Sequence, residues 1–154
     1  MKYKLKWAAV ILALIFFGLQ FTSPSRTNPP IDKNKTLQAT ADVPADVSAT
    51  LTRSCNDCHS NQTKWQWYTH VAPASWFTVG HVNDGRSELN FSEWGNYGDR
   101  MKQTRLSALC ELVKQGEMPL ASYTLLHSDA ILSPEERKII CDWTEKERSR
   151  LAAK

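Results

Sequence analysis

An all-α domain carried behind one apolar N-terminal helix is the fold class the sequence predicts, and three observations carry it. The chain opens on a basic and then apolar stretch, it is punctuated afterwards by helix-start and helix-stop signals, and a single Cys-x-x-Cys-His run follows a helical pattern with nothing strand-like before it.

The N-terminal element spans residues 1–21. Lys2, Lys4 and Lys6 precede a run from Trp7 to Phe21 broken only by Gly18 and Gln20, the layout of a secretory n-region and h-region. The run is shorter than the roughly 20 residues that cross a bilayer core comfortably, although flanking lysines can snorkel. No Ala-x-Ala-like cleavage site follows, since the chain continues Thr22-Ser23-Pro24-Ser25-Arg26. That favours a retained anchor over a cleaved signal, which would release a periplasmic form. A buried soluble helix is disfavoured because the run is apolar all round. Of the 19 basic residues, Lys2, Lys4, Lys6 and Arg26 lie in a segment with no acid, so the rest is close to neutral against 16 acidic residues. Nothing in that balance calls for a nucleic-acid partner. The lysines keep the N-terminus cytoplasmic, which places everything after Phe21 outside, at the periplasmic face of a bacterial inner membrane.

Residues 22–42, with Pro24, Pro29 and Pro30 among Asn, Lys and Thr, read as a flexible tether. The folded domain is expected over 43–152. Pro44 and Asp46 mark a helix start, and Val47, Leu51 and Cys55 follow at four-residue spacing, so a helix should lead into Ser54-Cys55-Asn56-Asp57-Cys58-His59-Ser60. On a helical turn, positions three apart share a face, so Cys55 and Cys58 can add across two vinyl groups of one porphyrin. His59 then offers an imidazole nitrogen to the iron. A thioredoxin-like redox pair would follow a strand, and a structural zinc site would need a second ligand pair. Neither pattern is present in the sequence.

From Asn61 to Phe77 aromatic residues crowd together, serving a small core or a haem wall. Trp65 and Trp67 are the candidate propionate donors, and the Pro73 carbonyl is the candidate acceptor for the second ring nitrogen of His59. Val79 to Asp99 contains Gly80, Asn83-Asp84-Gly85, Gly95-Asn96 and Gly98, and reads as loops and turns pinned by Phe91 and Trp94. A helix over Arg100–Gln115 has Leu106, Leu109, Cys110 and Val113 on one face and Gly116 as its stop. Met118-Pro119 comes next, a thioether on a backbone restricted by proline, and Met118 is the favoured sixth ligand. Met101 lies within a helix; His70, His81 and His127 are the rival ligands, with His127 also readable as a structural histidine. The last helix starts at Ser133-Pro134-Glu135-Glu136 and buries Ile139, Ile140 and Trp143. Cys110 and Cys141 form either a disulfide between the two long helices or two separate thiols.

These residues resemble the haem-binding domain family, small membrane-anchored bacterial proteins related to class I cytochromes c. The resemblance rests on Asn28-Pro29-Pro30, Ser54 to Asn61, Trp67-Tyr68, Ala72-Pro73, Ser75-Trp76, Leu89-Asn90-Phe91-Ser92-Glu93-Trp94, Gly116-Glu117-Met118-Pro119, Tyr123, His127, Leu132-Ser133 and Trp143. It implies a cytochrome c-like helical fold around one covalent haem c, with thioethers at Cys55 and Cys58 and axial ligation by His59 and Met118. The function then expected is one-electron transfer to redox partner proteins, a carrier more than an enzyme. The alternative is a haem-based sensor or peroxidase-like protein with a labile distal ligand, using His70 or His127.

Overall fold

Eight α-helices joined by short 3-10 turns make up residues 2–153, the part of the chain described by the computed structural model, and no strand occurs among the described residues. They are α1 (Lys2–Leu19), α2 (Leu37–Thr40), α3 (Ala45–Ser54), α4 (Asn56–His59), α5 (Ala74–Glu88), α6 (Asp99–Gln115), α7 (Ala121–Thr124) and α8 (Pro134–Ala152).

The two long helices α6 and α8 pack along each other, and α3 lies across α8. Their facing stripes bring together Val47, Leu51, Leu106, Leu109, Val113, Ile140, Trp143 and Leu151, and Phe91 and Trp94 close the core as the sequence implies. Local chemistry sets the ends of both long helices. At α8, Ser133 Oγ accepts from the Glu136 N–H while Glu136 reaches back to the Ser133 N–H, a reciprocal capping box. At α6, Gly116 adopts a φ of 76° and its N–H bonds back to the last turn, the left-handed stop that glycine takes without strain. Cys110 and Cys141 are disulfide-bonded, with Cα atoms 4.9 Å apart, so the bridge is the reading that holds. Cys141 is buried beside Ile140, on the side of α8 that meets α6.

Two segments differ from expectation. Of the stretch read as loops and turns from Val79 to Asp99, the part up to Glu88 is instead the second half of α5, which buries Ser75, Val79 and Val82 at helical spacing, whereas Phe91–Asn96 is a short 3-10 turn as expected. Gly80 and Gly85 both lie within this helix, and Gly85 is a packing residue, as its contact described below shows. The stretch read as a solvated tether is packed well before Val43. Leu37 is 0% exposed in the core, and α2 with the preceding turn (Lys33–Lys35) sits on the 3-10 segment Phe91–Asn96. Asn28 donates to the Thr63 carbonyl (2.9 Å) and accepts from Arg86 (2.7 Å), so the prolines here stiffen a strap that is held at both ends.

Helix α1 buries no residue, and the span Lys2–Thr22 has the length and apolarity of a membrane anchor or a signal sequence, with mean hydropathy 1.8.

Candidate functional site

Helix α3 ends at Ser54, and Cys55 leaves helical geometry before α4 begins, so the motif occupies its own single turn. The Cys58 and His59 N–H groups both bond the Cys55 carbonyl (3.2 and 2.9 Å), which holds the two thiols and the imidazole on one short scaffold. All three side chains line a cavity of about 1090 Å³. Its walls come from α4, the second half of α5 and the segment that follows it, α6 and the segment after Gly116, and include Leu89, Phe91, Leu109, Leu112, Met118, Leu120 and Tyr123. Ligand pockets span about 300–1000 Å³, so the space suits a large cofactor.

Gly85 explains how α5 comes so close to α4. A Cβ at this position would lie 2.7 Å from the Cys58 carbonyl oxygen, and no residue but glycine has room there. The approach brings the Gly85 and Leu89 carbonyls each to 3.0 Å from His59 Nδ1. Carbonyl oxygens only accept, so Nδ1 carries the proton and the lone pair is on Nε2, the tautomer a metal-binding imidazole needs. Burial lowers the His59 pKa, against the two carbonyl bonds that raise it, and so favours the neutral ring. The Pro73 carbonyl, the acceptor expected from the sequence, instead takes the Trp76 N–H at 3.1 Å. Pro73 opens α5, whereas the acceptors for His59 lie in its last turn and just beyond.

Leu89 is fixed in turn by a polar network that the sequence did not reveal as a unit. Asn90 donates to Asn61 Oδ1 (2.8 Å), its own side chain accepts from the Ser92 N–H (2.9 Å), and Ser92 Oγ accepts from the Asn61 N–H (3.0 Å). The run Leu89 to Trp94 therefore ties the chain after His59 to the carbonyl that orients His59. Arg86 adds a second tie, with Nε donating to the Ser60 carbonyl (2.9 Å) and the two terminal nitrogens to Thr27, Asn28 and Thr63.

Burial pushes the Cys55 thiol up to about 12, with Cys58 adding to the rise, and pushes Cys58 up to about 11, with Asp57 adding. Reactive redox pairs depend on a depressed thiol pKa, so the environment is wrong for thioredoxin-like exchange. Among the described residues no group of His, Cys, Asp and Glu could hold a metal ion on its own, which also disfavours the zinc reading.

Trp65 and Trp67 do not line the cavity. The loop that carries them is tied to Asp57 through Thr63 and Lys64, leaving Trp67 77% exposed and Trp65 beneath the Arg86 guanidinium, 5.9 Å from its ring centre. A different donor occupies the wall: Arg105 lines the cavity with Nη1 buried and without a partner, and Ser54 Oγ is in the same condition. Orphaned donors beside an apolar cavity are what an anionic, mostly apolar cofactor would satisfy, so the lining fits a haem with its propionates. The signal for Arg105 was its place on α6 one residue before Leu106, which the apolar periodicity hid.

Of the candidate sixth ligands, Met118 lines the cavity and packs on the core, whereas His70 and His127 do not line it. His81 and Met101 line it as exposed residues. The Met118 N–H bonds the Leu112 carbonyl (3.2 Å), and the segment beyond is held by Tyr123, whose hydroxyl donates to Asp57 (2.9 Å). The Tyr123 ring stacks on His127 at 4.3 Å, and His127 Nε2 is 2.8 Å from the Tyr68 hydroxyl, so His127 is a satisfied structural histidine.

A family model described as a haem-binding domain matches residues 14–146, most of the chain. No curated protein and no solved structure matches it.

Proposed function

The chain belongs to the haem-binding domain family, and from that premise we propose that it is a mono-haem c-type cytochrome that transfers single electrons at the periplasmic face of the bacterial inner membrane. The observation that carries the reading is one cavity shared by two thiols, an imidazole with its second nitrogen already satisfied, and a methionine. Cys55 and Cys58 hold the cofactor covalently, His59 and Met118 ligate its iron, and Arg105 meets a propionate.

When bound, a haem with imidazole and thioether ligands supplies one-electron chemistry at a raised potential. The protein's own part is to position and insulate. Gly85 and Leu89 keep the His59 proton on Nδ1 and its Nε2 lone pair aimed into the cavity. Leu89, Phe91, Leu109 and Leu112 give the cavity an apolar wall, which lowers the dielectric around any charge that changes there. The Gly116 stop and the Tyr123–Asp57 bond fix the loop that presents Met118. A carrier needs no catalytic acid or base, and the two histidines assigned that role by the sensor or peroxidase alternative do not line the cavity.

Met118→Ala tests the ligand set. Loss of the near-red charge-transfer band of the ferric protein, with a high-spin spectrum and rapid carbon monoxide binding on reduction, is the expected result. An unchanged spectrum would transfer the role to His81 or Met101.

A further inference from the structure

Helix α1 does not leave the domain on a loose linker. Gln20 bonds Ala72 twice, its side-chain oxygen accepting from the Ala72 N–H (2.9 Å) and its amide donating to the Ala72 carbonyl (3.3 Å). Trp76 Nε1 donates to the Thr22 carbonyl (3.2 Å), and Arg26 Nη1 donates to the Thr69 carbonyl (3.3 Å). Ala72 is fully buried, so the C-terminal end of α1 is fixed to the folded part in direction as well as distance.

The residues around this junction are the wrong kind for open water. Phe77 is 68% exposed, Trp76 37% and Val71 36%, and the exposed Phe21 directly precedes Thr22, whose carbonyl takes the Trp76 bond. The two stretches that meet here, residues 1–31 and 61–83, contain no Asp or Glu, and Arg26 lies at the contact. An aromatic and aliphatic patch with cationic but no anionic side chains in its segments, continuous with the end of a bilayer-length helix, matches the headgroup boundary of an anionic membrane.

We propose that the face formed by Val71, Trp76 and Phe77, with Arg26 beside it, rests on the outer leaflet of the bilayer that α1 crosses, so that the domain is held on the membrane in one orientation. The proposal relies on α1 being a retained anchor. It gives α5 a second task. The helix leaves the lipid boundary at Phe77 and lines the haem cavity from His81 to Glu88, about 6–17 Å further along its axis. Cavity height above the membrane is then set by a rigid strut and not by the length of a tether. A quinol-like or protein donor confined to the membrane would meet the cavity at a fixed level.

The full-length haem-loaded chain in vesicles of phosphatidylethanolamine and phosphatidylglycerol provides the test, with photoreactive p-benzoylphenylalanine placed singly at Leu14, Phe77 or Glu145. Leu14 is within α1, and Glu145 is an exposed residue of α8, which packs on α3 and α6. After irradiation, mass spectrometry should find lipid adducts at 14 and 77 and none above background at 145. Adducts at 14 without adducts at 77 overturn the proposal and leave the anchor standing. Protein cross-links at 77 in place of lipid also overturn it, assigning the face to a second copy. No adduct at 14, or an intact mass lacking the N-terminal residues, removes the anchor and the proposal together.

Discussion

Replacing Gly85 with alanine inserts one methyl group into the tightest contact of the candidate site. The new carbon would lie 2.7 Å from the Cys58 carbonyl oxygen and 3.1 Å from both the Cys58 carbonyl carbon and its Cβ. Non-bonded heavy atoms reach their energy minimum near 3.5–4.0 Å, so α5 must withdraw by roughly half an ångström or more. Most of the opposing atoms are backbone and cannot rotate aside. Alanine in a helix interior gains about 0.8–1.0 kcal/mol over glycine, while overpacking costs about 1–3 kcal/mol. Weakening the bond from His59 Nδ1 to the Gly85 carbonyl adds about 0.5–1.5 kcal/mol, although the Leu89 carbonyl remains. The clash outweighs the propensity, leaving a net loss of about 1–3 kcal/mol. Gly80 in the same helix has nothing within 4 Å of its would-be Cβ, so Gly80→Ala should gain up to about 1 kcal/mol. Guanidinium unfolding of the haem-loaded variants, followed by far-ultraviolet circular dichroism, reads both values. If Gly85→Ala proved as stabilising as Gly80→Ala, with an unaltered haem spectrum, the described α4–α5 contact would be refuted.

The disulfide and the start of α8 give two further tests. The Cys110–Cys141 bridge closes a sequence separation of 31, for which the chain-entropy model gives about 3–4 kcal/mol; the double serine variant should lose about that amount in the same unfolding assay while keeping its haem spectrum. Glu136 is held below the usual carboxylate range, first by the Ser133 N–H and then by Arg53. Its folded pKa lies below its unfolded value of about 4.5, so its contribution is complete above that pH and fades as the pH falls through the folded value. Glu136→Gln should therefore cost about 0.3–1 kcal/mol at neutral pH and nothing once the wild-type carboxylate is protonated. Urea midpoints that stay apart in acid as far as at neutral pH would show that the carboxylate charge is not the cause.

What could be read from the sequence was whatever depends on local pattern. The capping box at Ser133, the Gly116 stop, the Val47–Leu51–Cys55 spacing and the Cys-x-x-Cys-His turn are each specified within a few residues, and the structure has the corresponding helices and turns in place. Met118 could be placed after a helix stop for the same reason. The misread parts depend on partners distant in sequence. Gly80 and Gly85 weaken helix propensity, and the reason for Gly85 is visible only once Cys58 is packed against it. The 75–79–82 spacing of Ser75, Val79 and Val82 was the available sign of α5, outweighed by the turn-like Asn83-Asp84-Gly85. The same logic misassigned the acceptor for His59: a nearby proline carbonyl was chosen, while the real partners are 26 and 30 residues away. Residues 22–42 looked like a tether because their composition is polar, yet Leu37 in the core and polar contacts such as those of Arg26 and Asn28 dock them on the domain.

Covalent haem at the motif is the claim on which the rest depends. Mass spectrometry of the tryptic peptide Ser54–Lys64, from protein exported in a host that attaches haem, tests it most directly. The peptide should carry the added mass of one haem, with neither Cys55 nor Cys58 available to an alkylating reagent. An unmodified peptide that takes up two alkyl groups, from a colourless protein, would contradict the account.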